Sequence, residues 1–258
     1  MTTDLTRFHD LALRLADAAR PIALRYFRNN PETETKSDAS PVTIADRESE
    51  RVMRELIHAT FPDHGIIGEE FGADRPDANH VWVLDPIDGT KSFVSGRQLF
   101  GALIALCRDG KPMVGVIDCP AAADRWVGVA GQPSTHNGKP CRTRNCGVLR
   151  DAVLYATSPY VFEGPDRRGF DRLHAQVKFP IFGNDCHGYG LVASGWADLV
   201  VEAGLQVYDY AALVPVAEGA GGVITDWAGQ PLGLHNDGRV VLAGDRRMHR
   251  AALDILNG

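Results

Sequence analysis

The sequence predicts a layered α/β or α+β fold, in which helices pack against sheets. Near the N-terminus, apolar residues recur at steps of three and four, which is typical of an amphipathic helix. Beyond residue 65, short apolar runs alternate with turns rich in Gly and Asp, and strands and helices then alternate toward the C-terminus. The 258 residues are 44% hydrophobic and 23% charged. This composition is near the globular average and argues against disorder, collagen-like fibres and coiled coils.

Two helices open the chain. Residues 4–28 place apolar side chains on one face, and Asp4 is suited to cap the start of this helix. A second helix is predicted from about Thr43 to Thr60, and the Phe61–Gly65 turn ends it. The polar segment between the helices, Asn29 to Pro41, contains two prolines and predicts an exposed loop.

Buried strands are predicted where short apolar runs lie between turn residues. In the first half of the chain these runs are 65–68, 81–84, 102–106 and 114–117. The C-terminal third predicts a strand at 199–201, a helix at 209–219, strands at 222–225 and 240–243, and a last helix from about Arg246. Because no repeat or linker interrupts this pattern, we expect one domain over residues 1–258, with a weak internal boundary near 145–150.

The charge and the cysteine content indicate which kinds of partner and which cellular compartment to expect. With 27 Lys and Arg against 33 Asp and Glu, the formal net charge is −6, so bulk charge gives no indication of a nucleic acid or an anionic membrane as partner. The five cysteines are odd in number and include no CxxC pair, which favours reduced thiols. The chain has no signal-peptide pattern and no apolar window of ~18 residues. We therefore expect a cytoplasmic protein.

The most informative stretch is a hydrophobic strand that ends in two acids, Asp85 and Asp88. Pro86 fixes φ and removes a donor, so the chain is expected to turn after Asp85 and bring Asp88 back beside it. Two carboxylates this close repel each other unless a cation lies between them. Ligands that are all oxygen favour a hard divalent cation, and Mg²⁺ is the usual one.

Gly89 and Thr90 follow directly. Gly89 permits close backbone approach, and a helix beginning here would aim its free N–H groups at the same place, where they can bind a phosphate. An ordinary turn is the alternative, because an Asp-Pro-x-Asp-Gly string also makes local hydrogen bonds in loops.

Further acids stand at the ends of other predicted elements. Glu69 and Glu70 follow a short apolar run, while Asp46 and Asp209 lie near the starts of helices. For Asp46 or Asp209 alone, a helix cap is the better interpretation. Together with the Asp85 and Asp88 pair, these acids predict a site for more than one metal ion.

Three strings carry a resemblance to a known family: Gly68-Glu69-Glu70, Asp85-Pro86-Ile87-Asp88-Gly89-Thr90 and Asp209-x-Ala211-Ala212. The chain resembles the inositol monophosphatase family over nearly its whole length. The resemblance implies an αβαβα sandwich of the inositol monophosphatase and fructose-1,6-bisphosphatase type. It also implies Mg²⁺-dependent hydrolysis of a small phosphomonoester, with two to three ions per subunit, and a homodimer.

The resemblance also implies a ligand set. Glu69, Asp85 and the carbonyl of Ile87 would hold the first Mg²⁺, while Asp85, Asp88 and Asp209 would hold the second. A third, weaker ion would lie near Glu69, which therefore counts among the catalytic residues. Water rather than a side chain would then attack the phosphorus, which agrees with the absence of a recognisable nucleophile motif.

Other roles follow from the same resemblance. Backbone N–H groups at Gly89 and Thr90 would hold the phosphate, and the Thr90 hydroxyl, paired with Asp46, would orient and help to deprotonate the attacking water. Lys36 lies in the polar loop that closes over the site in this family. A solvated loop lysine is an equally good interpretation of Lys36.

The substrate prediction rests on the segment before the last metal ligand. Asn184, Asp185 and Glu202 fall where the resemblance places contacts to the leaving group. Two acids at that place favour a cationic leaving group, because opposite charges offset the cost of desolvation. The string Gly183-Asn184-Asp185-Cys186-x-x-Tyr189-Gly190 resembles the histidinol-phosphatase branch of the family.

That branch implies L-histidinol phosphate as substrate, with Asp185 or Glu202 binding its ammonium group and Asn184 its imidazole. A helix N-cap is the alternative role for Asp185. Inositol 1-phosphate or another small monophosphate is the alternative substrate. The alternative hypothesis from a different functional class is a protein that acts by binding other macromolecules.

Overall fold

The computed structural model describes residues 2–29, 33–35 and 41–258. Its α-helices are α1 (Thr2–Tyr26), α2 (Ile44–Thr60), α3 (Thr90–Val94), α4 (Gly164–His174), α5 (Asp185–Ala193), α6 (Val207–Tyr210), α7 (Leu213–Gly219) and α8 (Arg246–Asn257). Two short 3₁₀ turns occupy Leu149–Asp151 and Pro159–Val161.

The first half of the chain supplies β1 (Thr33–Thr35), β2 (Pro41–Thr43), β3 (Gly65–Gly68), β4 (Gly72–Asp74), β5 (His80–Asp88), β6 (Gly101–Arg108), β7 (Lys111–Cys119), β8 (Asp124–Val129), β9 (Thr135–His136) and β10 (Lys139–Pro140). The second half supplies β11 (Val153–Ala156), β12 (Phe179–Phe182), β13 (Leu199–Glu202), β14 (Val223–Thr225) and β15 (Val240–Ala243). Two main sheets form, in the strand orders β10-β9-β8-β7-β6-β5-β3-β4 and β12-β11-β13-β15-β14.

These elements form five layers. Helices α1 and α2 cover the outer face of the first sheet, and α5, α6 and α7 pack between the two sheets. Helices α4 and α8 cover the outer face of the second sheet. The layer order is therefore αβαβα, and the predicted fold class is confirmed.

The outer helix layer forms because α1 and α2 each carry one apolar stripe. Leu11 and Leu15 of α1 and Met53 of α2 are fully buried against Trp82 of β5. Burial of a large apolar side chain contributes about 1.5–3 kcal/mol, so this layer fixes α2 firmly against the strand that bears Asp85.

The central helices approach the first sheet very closely. A Cβ atom built on Gly115 of β7 would lie 2.0 Å from the carbonyl oxygen of Ala212, just before α7. Glycine is needed at such a place because any side chain would push the backbone away. This close approach sets the depth of the α6–α7 segment, which carries Asp209.

Helix α1 begins at Thr2, before Asp4, the residue predicted to cap it. The structure also departs from the sequence expectations at three places that involve a second element. The helix expected over 209–219 is divided into α6 and α7, and β5 continues through Pro86 to Asp88 instead of turning after Asp85. Within the segment expected to be a loop, β1 and β2 pair antiparallel. Sequence periodicity alone missed each of these because each depends on pairing or packing with another element.

The segment near 145–150 lies between the last strand of the first sheet and the first strand of the second. One large apolar cluster nevertheless contains residues of both sheets, including Leu103 and Val200. Division of the domain at this segment stays a prediction. None of the helices in the described residues has the length and apolar character that a membrane crossing requires.

Candidate active site

Asp85 and Asp88 lie on either side of a bulge in β5. The three residue steps between them oppose only two steps on β6, and such a bulge bends a strand and redirects its side chains. Pro86 has no N–H to donate to the ladder. The N–H of Ile87 donates back to Asp85 Oδ1 at 3.0 Å. The bulge, rather than a turn, therefore brings the two carboxylates to one place.

Asp209 completes this cluster from α6. One carboxylate oxygen from each of Asp85, Asp88 and Asp209 lies within 4.8 Å of the other two. Asp209 Oδ2 also accepts a hydrogen bond of 2.6 Å from the N–H of Gln206, the N-cap residue of α6. Asp209 thus both caps its helix and joins the acidic cluster.

Glu69 reaches the cluster from the turn after β3. Its N–H donates to the carbonyl of Leu84 at 3.2 Å, and Glu69 lines the same pocket as Asp85. Because β3 and β5 are parallel neighbours, their carboxyl ends meet at the same edge of the sheet. The sequence expectation that acids at these strand ends come together is therefore met.

Gly89 and Thr90 form the start of α3. Gly89 is the N-cap residue with φ of 79°, a left-handed conformation that favours glycine. The first N–H groups of any α-helix have no partner within the helix, so those of α3 remain suited to bind an anion. The helix start expected here is confirmed, and its role in phosphate binding stays a prediction.

The hydrogen bond expected between Asp46 and Thr90 is not formed among the described residues. Asp46 Oδ2 instead accepts from the backbone N–H and hydroxyl of Thr43, at 2.8 and 2.6 Å, as the third residue of a capping box. The Thr90 hydroxyl donates to the carbonyl of Ile87 at 3.1 Å. Local capping therefore decides the geometry of Asp46, as the alternative interpretation predicted.

Asp185 faces the cluster from the first residue of α5. Its φ is 45°, and its Oδ2 accepts a hydrogen bond of 2.8 Å from the Ser92 hydroxyl on α3. A Cβ atom on Gly89 would lie 2.9 Å from this oxygen. The N-cap residue of α5 is Asn184. The structure therefore places the Asp185 carboxylate in the site rather than in a cap.

Asn184 and Glu202 are placed differently from the sequence expectation. Asn184 Nδ2 donates to the carbonyl of Ile181 at 3.1 Å, and a Glu202 carboxylate oxygen accepts from the N–H of Thr157. The two residues are 7% and 3% exposed. Neither is among the described residues that line the pocket beside the cluster, so the structure directs both side chains to backbone partners instead.

A pocket of about 340 Å³ lies over the acidic cluster. The predicted metal ligands, Gly89, Thr90 and Asp185 line it, together with two residues that the sequence analysis missed, Lys91 and Gly204. Among the described lining residues Lys91 is the one cation. The signal for Lys91 was its position directly after Thr90, in the first turn of the helix. Lys36, the predicted lid residue, lies outside the described residues.

Burial and mutual repulsion disfavour a fully charged cluster. Burial raises the pKa of Asp85 well above its usual range, and the charges of Glu69, Asp88 and Asp209 raise it further. Burial also raises the pKa of Asp88, with Asp185 and Asp209 adding to the effect. Acids in this state release their protons readily when a cation arrives, because the cation removes the repulsion.

The donor chemistry of the pocket fits Mg²⁺. The side chains of the cluster offer carboxylate oxygens, and Ile87, whose carbonyl is a neutral oxygen, also lines the pocket. Hard cations prefer such an all-oxygen set. Glu69, Asp85, Ile87, Asp88 and Asp209 are therefore the residues suited to hold one or more ions.

Comparison with known proteins agrees with this geometry. The model of the inositol monophosphatase family matches residues 4–257. The bifunctional phosphatase IMPL2 (chloroplastic) of Arabidopsis thaliana is 45% identical over 98% of this chain and 76% of its own. A histidinol-phosphatase of Chlorobaculum parvum is 36% identical over 93% of this chain and 92% of its own. A solved inositol monophosphatase from Zymomonas mobilis is 45% identical, with a TM-score of 0.91 and 98% of each chain covered.

The fold and the site thus define a metal-dependent phosphoric monoester hydrolase. The chain belongs to the inositol monophosphatase family.

Proposed function

We propose that this phosphatase hydrolyses L-histidinol phosphate to L-histidinol and phosphate, with Mg²⁺ as its cofactor, in histidine biosynthesis. The observation that carries the proposal is the carboxylate of Asp185, which lines the pocket beside the acidic cluster. Ser92 holds this carboxylate at 2.8 Å. The likeness to a relative named histidinol-phosphatase, over 93% of this chain, supports the same substrate.

The start of α3 and the ions would bind the phosphate. Glu69, Asp85 and Ile87 would hold one Mg²⁺, and Asp88 and Asp209 would share a second with Asp85. Bound there, Mg²⁺ supplies charge neutralisation for the phosphoryl oxygens and lowers the pKa of a water molecule. The first N–H groups of α3 orient the phosphate, and Lys91 adds a positive charge on the pocket wall.

Proton transfer is assigned to acids near the cluster. Glu69 lines the pocket together with Asp85, and it would accept a proton from the attacking water. Burial is the main cause that raises the pKa of Asp46 to about 6, and the nearby charge of Glu69 adds to this shift. A carboxyl with this pKa can take up and release a proton near neutral pH. The Thr90 hydroxyl would support this exchange when it leaves the carbonyl of Ile87.

Recognition of the leaving group is assigned to Asp185. A carboxylate in a partly desolvated pocket favours a cationic group such as the ammonium of histidinol. Burial raises the pKa of Asp185 above its usual range, while the hydrogen bond from Ser92 and the charges of Arg97 and Lys91 act in the opposite direction. A cationic group bound beside Asp185 would further favour its charged form. Glu202 and Asn184 would support the pocket indirectly, because both are buried and bonded to the backbone.

The first test compares phosphate release from L-histidinol phosphate, inositol 1-phosphate and an adenosine monophosphate with Mg²⁺ at equal concentration. We expect kcat/KM for histidinol phosphate to exceed the others by about a hundredfold or more, which equals roughly 2.7 kcal/mol. Comparable rates on all three would contradict the specificity and leave a general phosphomonoesterase.

A second test uses Asp185→Asn, because asparagine tolerates the positive φ and can still accept from Ser92. The variant should raise KM for histidinol phosphate by about tenfold or more, and change KM for inositol 1-phosphate much less. Asp151→Asn, at an exposed position outside the pocket, is the matched control. An equal loss on both substrates would refute ammonium recognition by Asp185.

A second candidate function is the hydrolysis of inositol 1-phosphate. The 45% identity with the solved inositol monophosphatase of Zymomonas mobilis favours it. The same substrate comparison decides between the two candidates.

The subunit arrangement and compartment are also proposals. We propose a homodimer, as the family resemblance implies, with no nucleic acid or membrane as partner. We propose that the enzyme acts in the cytoplasm, where its free cysteines would remain reduced. Light scattering of the full chain tests the dimer, and imaging of a tagged chain in cells tests the compartment.

A further inference from the structure

The turn that carries Glu69 is fastened to α2 by a buried carboxylate. Glu50, in the second turn of α2, is fully buried. Its Oε2 accepts the N–H of Glu70 at 2.7 Å, and its Oε1 accepts the N–H of Phe71 at 3.2 Å. Two consecutive N–H groups of one turn thus converge on a single side chain, which fixes the direction of that turn.

Arg54 completes this attachment one helical turn further along α2. Its Nε donates to Glu50 Oε1 at 2.7 Å, and its Nη2 donates to the carbonyl of Gly72 at the start of β4. The guanidinium therefore offsets the buried charge of Glu50 and holds the far end of the same turn. We call Glu50 and Arg54 together the α2 clamp.

The space around Glu50 is restricted on the side of β3. A Cβ atom on Gly68 would lie only 2.0 Å from Glu50 Oε1, so the carboxylate fits directly against the end of this strand. On the other side of the turn, the N–H of Glu69 donates to the carbonyl of Leu84 on β5. The turn is thus held between β5 and the α2 clamp.

The same helix also carries Asp46, one turn before Glu50. We propose that Glu50 is a positioning residue that sets the place of Glu69 relative to Asp85 and so determines how tightly the site binds Mg²⁺. The inference rests on the proposed Mg²⁺ site. Groups that orient metal ligands from outside typically change metal affinity by 10–100-fold when they are replaced.

The experiment measures Mg²⁺ binding by titration calorimetry on the full chain, together with the melting temperature of the metal-free chain. Two variants disturb the clamp independently. Glu50→Gln keeps the shape of the side chain but replaces one carboxylate oxygen by an amide NH₂ group, which cannot accept a hydrogen bond from the donors around it. Gly68→Ala forces a methyl group onto the Glu50 carboxylate. Glu55→Gln is the control, because Glu55 lies on the same helix but is exposed and paired with Arg51.

We expect Glu50→Gln and Gly68→Ala each to weaken Mg²⁺ binding by about tenfold or more, with Glu55→Gln within about twofold of the wild type. Wild-type Mg²⁺ affinity in the clamp variants, with only a lower melting temperature, would show a purely structural role and overturn the inference. If one variant does not fold, the other decides. A wild-type chain that binds no Mg²⁺ would overturn the proposed function and the inference together, and it is recognised without any variant.

Discussion

The carboxylate of Asp88 accepts a hydrogen bond of 2.6 Å from the backbone N–H of Cys186. Asp88 ends a strand of the first sheet, whereas Cys186 lies in the first turn of α5, which follows a strand of the second sheet. This contact joins the two halves of the chain at the acidic cluster. Burial raises the pKa of Asp88 well above its usual range, and the hydrogen bond from Cys186 opposes this shift.

Asp88→Asn should abolish catalysis without unfolding the chain. The asparagine oxygen can still accept from Cys186, but the charge needed to hold a cation is lost. We expect the rate of phosphate release at saturating Mg²⁺ to fall by at least about 100-fold, equivalent to roughly 2.7 kcal/mol of barrier, with an unchanged circular dichroism spectrum. Asp254→Asn, exposed on α8, serves as control. Retained activity would exclude Asp88 as a ligand, and a biological role that survives this variant would indicate a binding function.

Lys91→Gln should weaken the binding of every phosphate ester. Lys91 is the cation among the described residues that line the pocket. Its positive charge lies among a larger number of carboxylates. We expect KM to rise about tenfold for both histidinol phosphate and inositol 1-phosphate, roughly 1.4 kcal/mol. Initial-rate kinetics provide the measurement, with the exposed Lys111→Gln as control. An effect confined to one substrate would show that Lys91 contacts the leaving group instead.

Gly89→Ala should impair both stability and activity. The left-handed conformation at φ of 79° costs an alanine about 1–2 kcal/mol, and its methyl group would crowd Asp185. Gly138→Ala is a matched control, because Gly138 has φ of 75° with open space around it. Urea unfolding should show destabilisation of both variants, larger for Gly89→Ala because its methyl group also meets Asp185 and the carbonyl of Leu99. Phosphate release should fall, by about tenfold or more, for Gly89→Ala alone. Equal activities would mean that the contact with Asp185 is unimportant.

Glu202→Gln should change how stability depends on pH. Burial raises the pKa of Glu202 from 4.5 to about 8, so between these values the folded chain keeps a proton that the unfolded chain has released. The free energy of unfolding therefore falls as pH rises through this range. Glutamine cannot titrate and still accepts from Thr157, so the variant should gain stability over the wild type as pH rises.

Urea titrations near pH 5 and pH 8, with a chelator present, provide the measurement. We expect the difference between variant and wild type to grow by about 1 kcal/mol or more over this interval. Glu163→Gln, at an exposed position, should show no such change. A constant difference would mean that Glu202 is already ionised at pH 5.

The sequence predicted the layered fold and most of its elements because these depend on local patterns. The apolar stripe of α1 and the short runs that become β3, β5, β6 and β7 can be read from the order of residues alone. Their boundaries differ where another element takes part. The bulge of β5 depends on pairing with β6, and the break between α6 and α7 accompanies close packing of Ala212 on Gly115.

Part of the candidate site could also be predicted from local sequence patterns. Glu69, Asp85 and Asp88 stand at the ends of two strands, and parallel neighbours bring their carboxyl ends to one edge. Lys91 was missed because its one signal in the sequence, a position directly after Thr90, does not by itself distinguish a pocket lysine from a solvated one. The clamp residue Glu50 was missed because, in sequence, an acid inside an amphipathic helix resembles a solvated one, and only the packing of α2 shows that it is buried.

By itself, the sequence determined which acids stand at element ends and therefore that a site for hard cations was to be expected. The tertiary structure decided which side chains face the pocket. Asp185 lies in the pocket because α3 and α5 meet at Ser92, whereas Asn184 and Glu202 are turned inward to backbone partners. The reason is physical: a polar side chain takes whichever partner the packed elements bring within reach, and that choice is not encoded in the spacing of neighbouring residues.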